Sequence, residues 1–249
     1  MPLKRAFTLI EMLVVISIIS LLIAIILPAL GHSKENARAV KCLANLRNIG
    51  SATNALINDT KERLPGIWDS VWVNLKKPGG GCWMSNPQPG QSYFQGGPQT
   101  GELFRYVGKD ERIYRCPSLE TGVLNSGHGS NGRYDYAAFH AFAGATYYRV
   151  PQTSHIPVKN HLSVPTPWII EESPYYHLNR NHVEGGFGGS DLIGDWHLGN
   201  NHFVAHDASA FAIKNAVGLS SYHFYAKAPS GTIVNLASHG SGYGGWDGR

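Results

Sequence analysis

The sequence predicts an α+β protein: one long N-terminal helix packed on an antiparallel β-sheet domain. Three observations carry this. An apolar stretch runs from Phe7 to Leu30. Apolar residues at helical spacing then continue to Ile57. The rest of the chain holds short β-like runs between turn residues, with no alternation of strands and helices and no internal repeat.

The first half of the helix is a membrane-type segment. From Phe7 to Leu30 only Thr8, Glu11, Ser17, Ser20 and Pro28 interrupt residues dominated by Ile, Leu and Val. A span needs roughly 20 predominantly apolar residues, so the length fits. A secretory signal has a shorter apolar core, about 7–15 residues, followed by a small-residue cleavage site. Ala29-Leu30-Gly31 matches such a site poorly. A plain anchor explains the length and the basic flank of Lys4 and Arg5, but not Glu11. Hydrocarbon solvates a carboxylate badly, so an acid there points to function.

The second half reads as amphipathic helix. Val40, Leu43, Leu46, Ile49, Thr53 and Leu56 recur at three- to four-residue spacing, among Lys34, Glu35, Arg38, Lys41 and Arg47. Pro28 removes one backbone donor, so a bend is expected near it. The reading is one helix from Phe7 to Asp59, about 80 Å long; two separate helices are the alternative. Leu64-Pro65-Gly66 ends it. Pro78 to Gly101 is dense in Gly and Pro and reads as a long surface loop. Strand candidates follow at Arg112–Cys116, Arg133–Ala137, Pro167–Glu171, His202–His206 and Ala210–Lys214.

Composition narrows the class further. Charged residues make up 15%, against 29 Gly, 6 Trp and 12 Tyr, which suits an exported, loop-rich β domain. A formal charge of +4 in 249 residues gives no case for nucleic acid as a partner. No nucleophile elbow, zinc-protease helix or phosphate-cradling loop occurs, so no catalytic residues are assigned. Glu171-Glu172 reads as strand-end solvation, since neighbours in a strand face opposite ways. Trp68, Trp72, Trp83, Tyr175 and Tyr176 form either core or an adhesive, sugar-binding face. His197, His202 and His206, with Asp191 and Asp195, are the metal-ligand candidates, zinc favouring imidazole and carboxylate donors. The bland alternative is a set of hydrogen-bonded histidines at a loop–strand junction.

Lys4-Arg5-Ala6-Phe7-Thr8-Leu9-Ile10-Glu11 resembles the processing site of type IV pilins and type II secretion pseudopilins. The resemblance implies a pilin-like fold and cleavage by a prepilin peptidase between Ala6 and Phe7, with methylation of the new amine. It implies residues 1–6 as leader, 7–30 as transmembrane and filament-core helix, 31–60 as its amphipathic continuation and 61–249 as a globular domain. Loss of Lys4 and Arg5 with the leader leaves a charge of about +2. The family usually has Gly where this chain has Ala6, and Pro28 falls where many members carry a helix-weakening proline. Glu11 lies four residues from Phe7, so its carboxylate can meet the processed amine of its own or a neighbouring chain. The implied partners are the peptidase, other pilin or pseudopilin subunits and an inner-membrane assembly platform. The implied location is a single pass of the inner membrane, with the C-terminal domain periplasmic or extracellular.

A second resemblance runs along the chain. Cys42-Leu43-Ala44-Asn45-Leu46-Arg47-Asn48-Ile49-Gly50, Tyr114-Arg115-Cys116-Pro117-Ser118, Tyr134-Asp135-Tyr136 and the segment from His197 to Ala208 are similar to motifs of prepilin-type N-terminal cleavage/methylation domain proteins. Ala208 stands where Gly is usual, and Asn200-Asn201 replaces a Gly pair. Because Cys42 and Cys116 both lie in these motifs, they are the favoured disulfide, which would tie helix to sheet. Cys82 with Cys116 is the second pairing, and three reduced thiols the third reading. Secretion pseudopilins of related fold bind calcium through oxygen ligands, which makes Asp191 and Asp195 candidates for calcium. Two readings from other classes remain beside a filament subunit: a membrane-tethered metal-binding or metal-dependent domain, and a tethered carbohydrate-binding or adhesin domain.

Overall fold

A computed structural model describes residues 8–60, 63–66, 81–84, 97–118, 134–139, 142, 153–156, 162–171, 186–187, 193–194, 197–214, 224–227 and 233–235. Helix α1 runs unbroken from Leu9–Asp59, 51 residues, or about 77 Å of rise. Pro28 lies inside it without ending it. From Leu9 to Leu30 every large apolar side chain is exposed, so nothing among the described residues covers that half. It is long and apolar enough to cross a membrane. Cys42, Asn45, Leu46, Ile49, Thr53, Leu56 and Ile57 are buried, which bears out the predicted stripe from Leu46 onward, while Val40, expected on it, is exposed and Leu43 only half-buried. Each fully buried Leu or Ile there contributes about 1.5–3 kcal/mol. At the end Thr60 Oγ1 donates to Leu56 O at 2.8 Å and to Arg63 O at 3.0 Å, bonding carbonyls as the chain leaves the helix.

The strands are β1 (Tyr136–Phe139), β2 (Thr153–Ile156), β3 (Leu162–Pro165), β4 (Pro167–Glu171), β5 (Gly186–Phe187), β6 (Asn200–Ala205), β7 (Ala210–Lys214), β8 (Tyr225–Lys227) and β9 (Ile233–Asn235). One sheet has the order β5-β1-β4-β6-β7, antiparallel except for the β1–β5 pair. A four-stranded antiparallel sheet has the order β3-β2-β8-β9. The α+β class therefore stands. Buried β1 and β4 are apolar on consecutive residues, as central strands are. Pro167 begins β4, where its missing donor is tolerated, and the β4–β6 register shifts between Pro167 and Ile169.

Helix α1 packs on β6 and β7. Gly50 sets how closely. A Cβ there would lie 2.6 Å from Val204 Cγ2 and 2.9 Å from Ala208 Cα. Ala208 sits in the β6–β7 turn at φ 67°, a left-handed conformation that glycine adopts more readily.

Strands β4 and β7 fall where the sequence places them, while other expectations need correction. The stretch Arg112–Cys116 is not a strand. Glu111–Tyr114 forms a 3-10 turn, because Asp110 Oδ1 accepts from Arg112 N at 2.9 Å and caps it. The strand expected at Arg133–Ala137 runs instead over Tyr136–Phe139. The one expected at His202–His206 is shifted to Asn200–Ala205, because the chain turns where Ala205 N donates to Ser209 O. The segment expected as a long surface loop contains core. Cys82, Trp83 and Met84 are buried, and Glu102 N and Leu103 N donate to the carbonyls of Cys82 and Trp83. Their apolar bulk outweighs the surrounding glycines and prolines. Trp83 is thereby removed from any adhesive face, while Trp68, Trp72, Tyr175 and Tyr176 lie outside the described residues.

Two substitutions test this packing. Gly50→Ala should lower stability by about 1–2 kcal/mol in a thermal melt, since overpacking outweighs the helix propensity gained. Ala208→Gly should raise the melting temperature by relieving the left-handed backbone, a gain of about 0.5–1 kcal/mol after the entropic cost of glycine.

Candidate functional site

The N-terminal site is a helix start that presents an acid. Thr8 is the N-cap of α1, with extended backbone. Its Oγ1 accepts from Glu11 N at 3.2 Å, and Glu11 Oε2 accepts from Thr8 N at 2.8 Å and from Thr8 Oγ1 at 2.9 Å. This is a reciprocal capping box, which satisfies two backbone donors that a helix start leaves open. The Thr-x-x-Glu spacing carried that signal in the sequence, and the reading of Glu11 as an amine partner passed over it. Ala6 and Phe7 lie outside the described residues, and so does any pairing of Glu11 with the Phe7 amine. Glu11 is exposed on the protruding half of α1, a position from which a neighbouring chain can be reached.

The second site is buried where α1 meets the larger sheet. Cys42 comes from α1, and Cys116 follows the 3-10 turn. Glu171 ends β4, and His197 and His202 flank the start of β6. Leu198 and Gly199, both at positive φ, make a tight reversal closed by the His197–Asn200 bridge. That reversal turns His197 back beside His202, and their rings stack at 4.3 Å.

The contacts are short and convergent. Cys42 Sγ lies 2.5 Å from Glu171 Oε1 and 3.2 Å from Tyr136 Oη. His197 Nε2 lies 3.0 Å from Glu171 Oε1 and 3.3 Å from Cys116 Sγ. Its Nδ1 lies 2.8 Å from Glu35 Oε1, and Ser118 Oγ donates to the same oxygen. Glu171 Oε2 accepts the backbone N–H of His202 at 2.8 Å.

The electrostatics follow from this crowding. Burial pushes Glu171 up, but hydrogen bonds and charge from His197 and His202 outweigh it and hold the carboxyl at about 2. Burial pulls His197 down, yet Cys116 and Glu171 raise it to about 10, so it is an imidazolium between two carboxylates. The contact with Cys42 brings the Cys116 thiol to about 7 against its own burial, with help from His197. Burial pushes the Cys42 thiol and the Tyr136 phenol well up. Burial also opposes the ionised form of Glu35, but bonds from Ser118 and His197 prevail and keep it below the usual carboxylate range.

Of the sequence-predicted metal residues, the structure brings His197 and His202 together. His206 lies beyond the end of β6, roughly 13 Å along the chain from His202. Asp191 and Asp195 lie outside the described residues. Cys42 and Cys116 are buried free thiols that reach the same Glu171–His197 pair, Cys42 through Glu171 and Cys116 through His197. Glu171 is the residue that sequence reading misjudged. It is fully buried, not a strand-end solvated acid, because Pro167–Glu171 is a strand buried along its whole length. The apolar run leading into it was the available signal.

Residues 1–27 match the family model described as the prokaryotic N-terminal methylation motif. This is the cleavage segment of type IV pilins and pseudopilins. No curated protein and no solved structure matches the chain.

Removing Glu171 takes the carboxylate from His202 and leaves His197 with Glu35 alone. Glu171→Ala should cost about 3 kcal/mol in denaturant unfolding, because the buried imidazolium loses its fully buried partner and keeps only the part-exposed Glu35. Glu35→Gln, at the more exposed edge, should cost clearly less in the same measurement.

Proposed function

We propose that the chain is a structural subunit of a type IV pilus-like or type II secretion pseudopilus filament. The supporting observation is a methylation motif at the tip of a helix whose first half is left uncovered by the described residues. A prepilin peptidase cuts between Ala6 and Phe7 and methylates the new amine. The helix from Phe7 to Leu30 holds the subunit in the inner membrane and then packs against the same segment of other subunits. The rest of the chain stands on the periplasmic or extracellular side, docked on the second half of α1.

Glu11 has two duties in this reading. In the single chain its carboxylate caps α1 through Thr8. In the filament it meets the methylated amine of a neighbour, which lowers the cost of a charge in an apolar bundle and sets the register between helices. No substrate is turned over; the work is assembly.

Mass spectrometry of the cellular protein should find a chain starting at methylated Phe7. An intact Met1 on a working protein would defeat the assignment. Glu11→Ala should leave membrane insertion and the fold of the outer domain intact while abolishing filament formation, scored by shearing and electron microscopy. Glu11→Gln separates the duties: the amide keeps an acceptor for Thr8 but loses the charge, so helix content should persist while assembly still fails.

A further inference from the structure

The buried cluster has the donors, the spacing and the surroundings of a metal centre. Two thiols, an imidazole and a carboxylate are the ligand types of structural zinc sites, with the thiolates favouring zinc over calcium or magnesium. Bonds of about 2.0–2.3 Å arranged tetrahedrally place neighbouring donors about 3.2–3.8 Å apart. Cys116 Sγ and His197 Nε2 are 3.3 Å apart, and His197 Nε2 and Glu171 Oε1 are 3.0 Å apart. Cys42 Sγ and Glu171 Oε1, at 2.5 Å, are closer than that and would separate around an ion.

Donor atoms of Cys42, Glu171, His197 and His202 all lie within 4.8 Å of one another, and Cys116 Sγ joins them through its contact with His197 Nε2. The geometry points to a tetrahedral site for one zinc-class divalent ion, held by Cys42 Sγ, Cys116 Sγ, His197 Nε2 and Glu171 Oε1, with His202 packed behind it. The outer contacts are those such a site uses. Glu35 holds His197 Nδ1 at 2.8 Å, which fixes the tautomer that turns Nε2 inward. The backbone N–H of His202 engages Glu171 Oε2, which leaves Oε1 as the inward oxygen. His202 covers the His197 ring, and its Nδ1 lies 3.4 Å from Oε2 with no hydrogen-bond partner. On binding, both thiols and His197 Nε2 release their protons to solvent, while the Nδ1–H bond to Glu35 remains.

A disulfide between Cys42 and Cys116 would use only two of these groups and leave the Glu171–His197 pair as it stands. The ion engages all four. The donors come from α1, the 3-10 turn segment, β4 and the approach to β6. The ion therefore clamps the helix to the sheet at the base of the protruding half. Fully buried and closed, the site is structural rather than catalytic. This inference does not depend on filament assembly.

The test uses the full chain, purified in detergent from zinc-supplied cells without chelator. One zinc per chain by elemental analysis is expected, with thiolate-to-metal absorption after exchange into cobalt. Stripping the metal should lower the melting temperature, and zinc should restore it. Cys116→Ser and His197→Gln should lose the metal, while His202→Gln keeps it. Glu35→Gln should weaken affinity about 10–100-fold without changing stoichiometry. Wild-type protein free of metal and unmoved by added zinc would overturn the inference, whatever the variants do. So would an intact mass lighter by two hydrogens with Cys42 joined to Cys116. Metal retained by Cys116→Ser but lost by His202→Gln would overturn the ligand assignment.

Discussion

A carboxylate with no access to water dominates the architecture. Glu171 is fully buried, and an ionised acid persists there only if its neighbours supply donors and positive charge. Those neighbours come from distant parts of the chain: Cys42 on the helix, His197 and His202 around the start of β6, and Tyr136 on β1 against Cys42. Asn201 adds a further tie, with its Nδ2 donating to the carbonyls of Glu171 and Gly194 at 2.9 and 3.0 Å. Satisfying one acid thus fixes where the helix crosses the sheet and how β6 sits against β4.

The same helix must serve two environments, and its sequence changes character accordingly. Up to Leu30 its apolar residues face outward on every side, so they call for lipid or other helices. Beyond Lys34 apolar residues collect on one stripe, which closes against β6 and β7. Gly50 lets the backbones approach within a distance that any larger residue would obstruct. The stretch from Gly31 to Lys34 is exposed, so the change of environment occurs within about one helical turn.

Legibility in the sequence followed the range of the governing interactions. The long helix, β4 and β7 were readable because apolar periodicity is a local property. Strands β2, β3, β5, β8 and β9 were missed, being only two to four residues long, too short for a period to show. Arg112–Cys116 has β-like composition, but Asp110 caps a turn and Tyr114 plugs the core from it. The glycine- and proline-rich region concealed a core segment, because Trp83 finds its cover in Tyr114, which is remote in sequence. At the helix start the Thr8–Glu11 box was legible and outshone by the larger role given to Glu11.

By itself the sequence determined the anchor-type helix, the acid near its start, the α+β class and the cleavage segment, all properties of contiguous residues. It also singled out Cys42, Cys116, His197 and His202, though as separate disulfide and metal candidates. Only the tertiary structure decided that these belong to one cluster, that Glu171 is its centre, and that His206 stands outside it. The reason is physical: a buried charge takes whichever donors the fold carries to it. Here they arrive from positions 42, 197 and 202, with Cys116 behind His197, a set that no local pattern encodes.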